Sequence, residues 1–239
     1  MKFPFLALLV VASSGFAADS IDAPAVKAGD SWVYRSTTER GASWNQTRDE
    51  VTVTRATAST IFFTVKASGS TQPPKELFFG RDWSRVRDVN GKETLVNQPL
   101  AFPLSIGKAW RVEYEERKPT PAHRMEHFES RYVVVGYEDV QVPAGTFRAL
   151  KIESEGNWRA ELEPGQSVVQ GARSSEGGAT AVTQVQKIEA REASGRTYKA
   201  FWYVPEVRRW VKSVEEFYGS DGSRNERFTQ ELESFRKAE

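Results

Sequence analysis

The two histidines of the 239-residue chain stand together in His123-Arg124-Met125-Glu126-His127, which is the H-x-x-E-H order of inverted zinc peptidases. There, two imidazoles one helical turn apart hold zinc while the glutamate activates water. The motif needs a helix. Here Pro119 and Pro121 precede it and Phe128-Glu129-Ser130-Arg131-Tyr132-Val133-Val134-Val135 follows, a β-branched cluster that favours a strand. In a strand Glu126 points away from the histidine face, so His123 and His127 read as loop or strand-face residues, with a zinc hydrolase on residues 123–127 as the alternative. Nucleophilic hydrolysis has less support: no G-x-S-x-G elbow occurs, and a Ser-His-Asp triad would have to recruit one of the same histidines. Glu113, Glu115, Glu116, Glu153 and Glu155 supply carboxylates for a glycosidase-like pair, yet their alternation with apolar residues describes the solvated face of a strand. No phosphate-binding glycine loop is present, and Asp221-Gly222-Ser223 does not extend into a calcium loop. Trp44, Trp83, Trp158 and Trp202 are candidates for lining a groove that takes a sugar or an acyl chain; the plainer reading is that their rings fill space between curved sheets. Asn45-Gln46-Thr47 fits a glycosylation sequon.

The elements that must position these residues read as strands. Trp32 and Tyr34 share a face after Gly29-Asp30, and residues 51–54 and 60–65 alternate on either side of a short break as a hairpin would. Leu77-Phe78-Phe79 is a short apolar run, and Asn90-Gly91 is the strongest two-residue hairpin signal in the chain. A proline-bounded connection at 99–103 leads to an alternating run at 110–114. Residues 131–142 form a long strand whose unbroken apolar centre implies cover on both faces. Pro143 and Gly145 then suit a type I turn into a strand at 146–153. Residues 163–180, with five glycines and prolines between them and little apolar bulk, are expected to be a mobile loop. Strands resume at 182–190, 197–204 and 210–218, and the last stretch, with Phe228, Gln230 and Leu232, is expected to be a final strand. The fold class is therefore all-β: an antiparallel meander forming a curled half-barrel or a β-sandwich, with few short helices.

The setting is legible too. Lys2, an apolar run from Leu6 to Ala12, and small residues at Gly15 and Ala17 make a secretory signal peptide over residues 1–17, leaving one β domain over 18–239. The apolar run is too short to span a bilayer, and no later segment approaches that length uncharged. With no cysteine there are no disulfides, no thiolate metal site and no acylated anchor. Loss of Lys2 brings the 33 basic residues level with the 32 acidic ones, so the mature chain is formally neutral. A neutral domain lacks the field that drives association with nucleic acid or anionic lipid.

Four segments occur in order: Gly29-Asp30-Ser31-Trp32-Val33-Tyr34, then Phe102-Pro103-Leu104-Ser105-Ile106-Gly107-Lys108-Ala109-Trp110, then Val142-Pro143-Ala144-Gly145-Thr146-Phe147, then Phe201-Trp202-Tyr203-Val204-Pro205-Glu206-Val207. In this arrangement the chain resembles uncharacterised exported bacterial β proteins that carry a VPAGTF turn followed by a WY-x-P strand end. The resemblance implies a curled antiparallel sheet, a Gram-negative periplasmic setting and no established activity, and it brings no catalytic residues. The chain departs from that pattern in the Gly/Ser-rich stretch at 163–180 and at Glu206-Val207-Arg208, where such proteins more often carry glycine.

These readings converge on a periplasmic or secreted, non-enzymatic protein without a cofactor. Its partner would be hydrophobic or a protein of the cell envelope, bound in the concavity of the sheet. A zinc hydrolase and a purely structural module without a ligand are the alternatives.

Overall fold

The computed structural model describes residues 20–163, 166–175, 178–187 and 192–238. The leader expected at residues 1–17 lies outside the described residues. Among the described residues fourteen strands follow one another: β1 (Ser31–Arg40), β2 (Ser43–Ala56), β3 (Thr60–Ala67), β4 (Lys75–Gly80), β5 (Arg85–Val89), β6 (Lys92–Asn97), β7 (Ala109–Thr120), β8 (His123–Val142), β9 (Gly145–Leu162), β10 (Gln166–Ser175), β11 (Gly178–Lys187), β12 (Glu192–Val204), β13 (Arg209–Tyr218) and β14 (Arg224–Arg236). The one helical element among the described residues is a 3-10 turn over Pro205–Val207.

Ten strands make a single antiparallel sheet in the order β4-β3-β2-β1-β14-β13-β12-β9-β8-β7, and β5–β6 and β10–β11 are separate hairpins. Laid flat, ten strands would hold the edges β4 and β7 about 43 Å apart, at roughly 4.8 Å per strand interval. Instead Leu77 and Phe79 of β4 line the same cavity as Tyr114 of β7 and Phe128 of β8. The sheet must therefore curl strongly, and it stays open: hairpin β5–β6 lies across the gap between its two edges. Register shifts leave Val135 of β8 and Val211 of β13 without partners in the ladders to β9 and β12 and mark bulges, which bend the strands and raise their twist.

Local chemistry explains the turns. Asn90 and Gly91 have φ of 56° and 82°, the two positive angles that a tight hairpin between β5 and β6 demands. Pro143 and Ala144 join β8 to β9 with Val142 opposite Gly145, so the proline sits where no ladder N–H is needed. The interior is aromatic: Trp32, Tyr34, Trp83, Tyr132 and Tyr203 are all essentially inaccessible. The connection expected at 99–103 packs inward through Leu100 and Leu104, both fully buried, and Phe102 meets Tyr203 edge-on at 5.5 Å.

Two expectations need correction. The apolar centre of β8 is not covered on both faces, because Val135 and Tyr137 are 49% and 44% exposed. β-Branched and aromatic residues favour an extended backbone whichever face they occupy, so their run does not by itself report a second layer. Residues 166–175 and 178–187 pair as the hairpin β10–β11, where loop was expected as far as Thr180. A backbone ladder needs extended residues rather than apolar bulk, and a Ser/Thr/Val-containing stretch can satisfy it.

Candidate functional site

The concave side of the sheet encloses a cleft of about 560 Å³. Its walls come from elements far apart in sequence. Val51 is on β2, Phe63 and Val65 on β3, Leu77 and Phe79 on β4, Tyr114 on β7, Phe128 on β8, Phe201 on β12, and Trp210 and Phe217 on β13. Trp83 completes the wall from the turn between β4 and β5. Rings interlock along it: Phe63 meets Phe79 at 5.0 Å and Trp83 at 5.7 Å, and Trp210 meets Trp83 at 6.0 Å and Phe201 at 5.3 Å. Trp83 holds this place with φ of 59°, a backbone conformation that costs free energy for a bulky residue and persists only where the surroundings enforce it. At the mouth Phe217 is 38% exposed and Arg85 faces solvent.

Two cations stand on the cleft floor, and they differ in how they are satisfied. Lys199 donates to Asn97 Oδ1 at 3.0 Å and pairs with Glu215 at 3.4 Å, while Tyr132 donates to the same Asn97 oxygen at 2.8 Å. Burial works against the Lys199 ammonium, but the Glu215 carboxylate with Tyr132 outweighs it and holds the pKa above the ordinary lysine value. Arg209 is 5% exposed, and its Nε and Nη1 have no hydrogen-bond partner. Its Cζ lies 4.4 to 5.6 Å from the ring centres of Trp83, Trp210, Tyr34 and Trp32. Trp32 Nε1 donates to the Val207 carbonyl, Trp83 Nε1 to that of Arg208 and Tyr34 Oη to that of Trp210, so the carbonyls flanking Arg209 already have donors. Burial lowers the Arg209 pKa, with Tyr34 opposing, and the same burial raises that of Tyr34.

Of the four tryptophans singled out from the sequence, Trp83 alone lines this cleft. Trp44 is 70% exposed at the start of β2, beside a separate surface hollow with Gly41 and Ala42. Trp158 on β9 stacks on His123 at 5.8 Å and borders a different depression. Trp202 donates to Glu138 and lies against Lys151 and Lys212. The four rings are not brought together, because pleat and register send them to different surfaces.

The H-x-x-E-H stretch lies at the start of strand β8, not on a helix. His123 Nδ1 is 2.8 Å from Glu126 Oε2, whereas His127 approaches Glu113 at 3.6 Å. Glu126 and His127 are consecutive in an unbroken ladder, opposite Ala160 and Arg159, so their side chains leave opposite faces of the sheet. A bulge between His123 and Met125 turns His123 to the Glu126 side. The two imidazoles therefore do not converge on one point, and no group of three or more His, Asp or Glu side chains suited to a metal occurs among the described residues. Glu116 is ion-paired to Arg87 and Glu153 to Lys151, rather than facing one another as an acid/base pair.

Sequence reasoning missed Arg209, Lys199 and most of the apolar wall. No local signal marked Arg209, which opens β13 between Arg208 and the apolar Trp210-Val211.

A scan against protein families finds no match for the chain, and a search of curated proteins finds none. Among solved structures the chain is similar to a "putative lipoprotein" from Parabacteroides distasonis, with 13% identity over 91% of this chain and 100% of that one, and a TM-score of 0.45. It is also similar to a "putative exported protein" with a YmcC-like fold from Bacteroides fragilis, with 16% identity over 92% of this chain and 100% of that one, and a TM-score of 0.43. No helix among the described residues is long and apolar enough to cross a membrane.

Proposed function

We propose that the protein is a non-enzymatic binding protein of the bacterial periplasm that holds a hydrophobic small molecule of the cell envelope in the cleft of its curled sheet. The observation that carries this reading is the cleft: about 560 Å³, walled by Phe63, Leu77, Phe79, Trp83, Phe201 and Trp210. Small-molecule sites typically occupy roughly 300 to 1,000 Å³ and are lined mostly by apolar and aromatic groups with a few polar ones. A structural module would close such a space, since each unfilled volume forfeits dispersion contacts and apolar burial. Export is supported by the leader at residues 1–17 and by the resemblance to exported β proteins. The absence of convergent acid, base and nucleophile in the cleft favours binding over turnover: its carboxylates are Asp49 and Glu215, the second already paired with Lys199.

The test uses the uncharged dye N-phenylnaphthylamine, whose emission rises in apolar surroundings. The processed protein should enhance it saturably. Leu77→Glu, which puts a charge into the wall from the partly exposed edge strand β4, should weaken dye binding about tenfold or more, the loss of roughly 1.4 kcal/mol of apolar contact. Folded protein that leaves the dye in water would rule the cleft out as a hydrophobic site.

A further inference from the structure

We infer that the cleft takes an amphiphile with one apolar chain and a carboxylate head group, the chemistry of a long-chain fatty acid, with the head group on the guanidinium of Arg209. This rests on the reading of the cleft as a hydrophobic site and adds the charge of what it holds. Charge accounting leads to a monoanion. Of the charged residues lining the cleft, Lys199 is paired with Glu215 and Arg87 is paired with Glu116 of β7. Asp49, which accepts a hydrogen bond from Thr47 at 3.0 Å, and Arg85, in solvent at the mouth, cancel in the count. Arg209 remains, buried, with two N–H groups unanswered and the neighbouring backbone carbonyls already engaged by Trp32, Trp83 and Tyr34. Native structures rarely leave buried donors unpaired without a reason, and a guanidinium matches a carboxylate in charge and in hydrogen-bonding capacity. The aromatic wall beside that fork, from Trp210 and Trp83 through Phe63 to Phe79 and Leu77 on edge strand β4, supplies the apolar track for the chain.

The experiment compares oleate, oleyl alcohol and acetate on the processed protein by calorimetry, below the concentration at which the lipids self-associate. Oleate and oleyl alcohol share a chain and differ in head-group charge; acetate is a head group without a chain. The expected result is oleate bound at least tenfold more tightly than oleyl alcohol, and no displacement of oleate by equimolar acetate. Arg209→Met should bring the two lipids to equal affinity while still binding the alcohol. Arg85→Met should keep the oleate preference. Equal affinities in the unmodified protein, a preference that survives in Arg209→Met, or one lost in Arg85→Met instead, would each overturn the assignment. Should Arg209→Met fail to fold, Arg209→Lys replaces it, where the preference should shrink without vanishing and an unchanged preference overturns the assignment. Dye enhancement with equal lipid affinities removes the Arg209 inference alone, whereas folded protein that binds neither dye nor lipid removes both readings.

Discussion

Arg208 and Asp30 show how a single position departs from the pattern its surroundings favour. Arg208 ends the 3-10 turn with φ of 64°, in the left-handed region where a side chain costs about 1–2 kcal/mol and glycine costs little. Glycine would meet this geometry without that cost. What holds the arginine is Asp30, which is fully buried and accepts from Arg208 Nη1 at 2.8 and 2.9 Å, from the Lys27 N–H and from the Ala238 N–H. One carboxylate thereby ties the segment before β1 to the turn before β13 and to the chain's last residues. Arg208→Ala loses the ion pair and keeps the unfavourable φ; Arg208→Gly loses the pair and relieves the backbone. Both should be less stable than the parent in urea, with the glycine variant more stable than the alanine one by about 1 kcal/mol. Equal stabilities would mean that the backbone strain at this residue is not energetically significant.

At the scale of elements, alternation and turn chemistry were legible. The Asn90-Gly91 hairpin, the Pro143-Ala144 turn, the long strand ending at Val142 and a final strand through Phe228 and Leu232 all appear where their residues imply them. What could not be read was which strands meet. The cleft draws on β2, β3, β4, β7, β8, β12 and β13, and their side chains converge only through curl and bulges that no local pattern encodes. Arg209 was hidden for a related reason: an arginine following Arg208 reads as solvated until the rings of two other segments, β1 and the turn after β4, join Trp210 around it. Hairpin β5–β6 illustrates how an element is tethered. Asn90 donates to the Glu115 carbonyl at 2.9 Å and accepts from the Arg117 N–H at 2.8 Å, while Arg87 clasps Glu116 through both terminal nitrogens. The Arg87 hydrogen bonds, against the effect of burial, hold the Glu116 carboxyl below its ordinary value of 4.5; Lys151, against burial and with help from Tyr198, does the same for Glu153. A carboxylate whose pKa is depressed by folding contributes stability that is present above its unfolded value and lost as pH falls through its folded one. Thermal stability should therefore hold steady above about pH 5 and decline as pH drops below about 4.5. Arg87→Gln should cost about 1 kcal/mol at neutral pH and make the acid decline shallower, read from melting temperatures across the series. A decline identical to the parent's would show that the clasp plays no part in it.

For the molecule as a whole, the arrangement around Arg209 sets the stability of the fold against its use. Four rings within 5.6 Å supply cation–π attraction of roughly 0.5–2 kcal/mol for the better-placed ones. Against this stand two unpaired buried N–H groups, at about 1–3 kcal/mol each, and the effective cost of desolvating a cation, several kcal/mol. The opposing terms are larger, in agreement with the downward shift of the Arg209 pKa by burial. A methionine has similar reach, no charge and favourable sulfur contacts with aromatic edges, so it fits the same ring cage. Arg209→Met should therefore make the ligand-free protein more stable, by about 1–3 kcal/mol in urea unfolding, whereas an arginine that served only to brace the core would leave its variant weaker. Saturating oleate should reverse the order by raising the melting temperature of the parent more than that of the variant, because a ligand stabilises the fold in proportion to how tightly it binds the folded state. A variant less stable than the parent in the absence of ligand would place Arg209 among the supports of the sheet and remove the energetic reason for reading it as an anion seat.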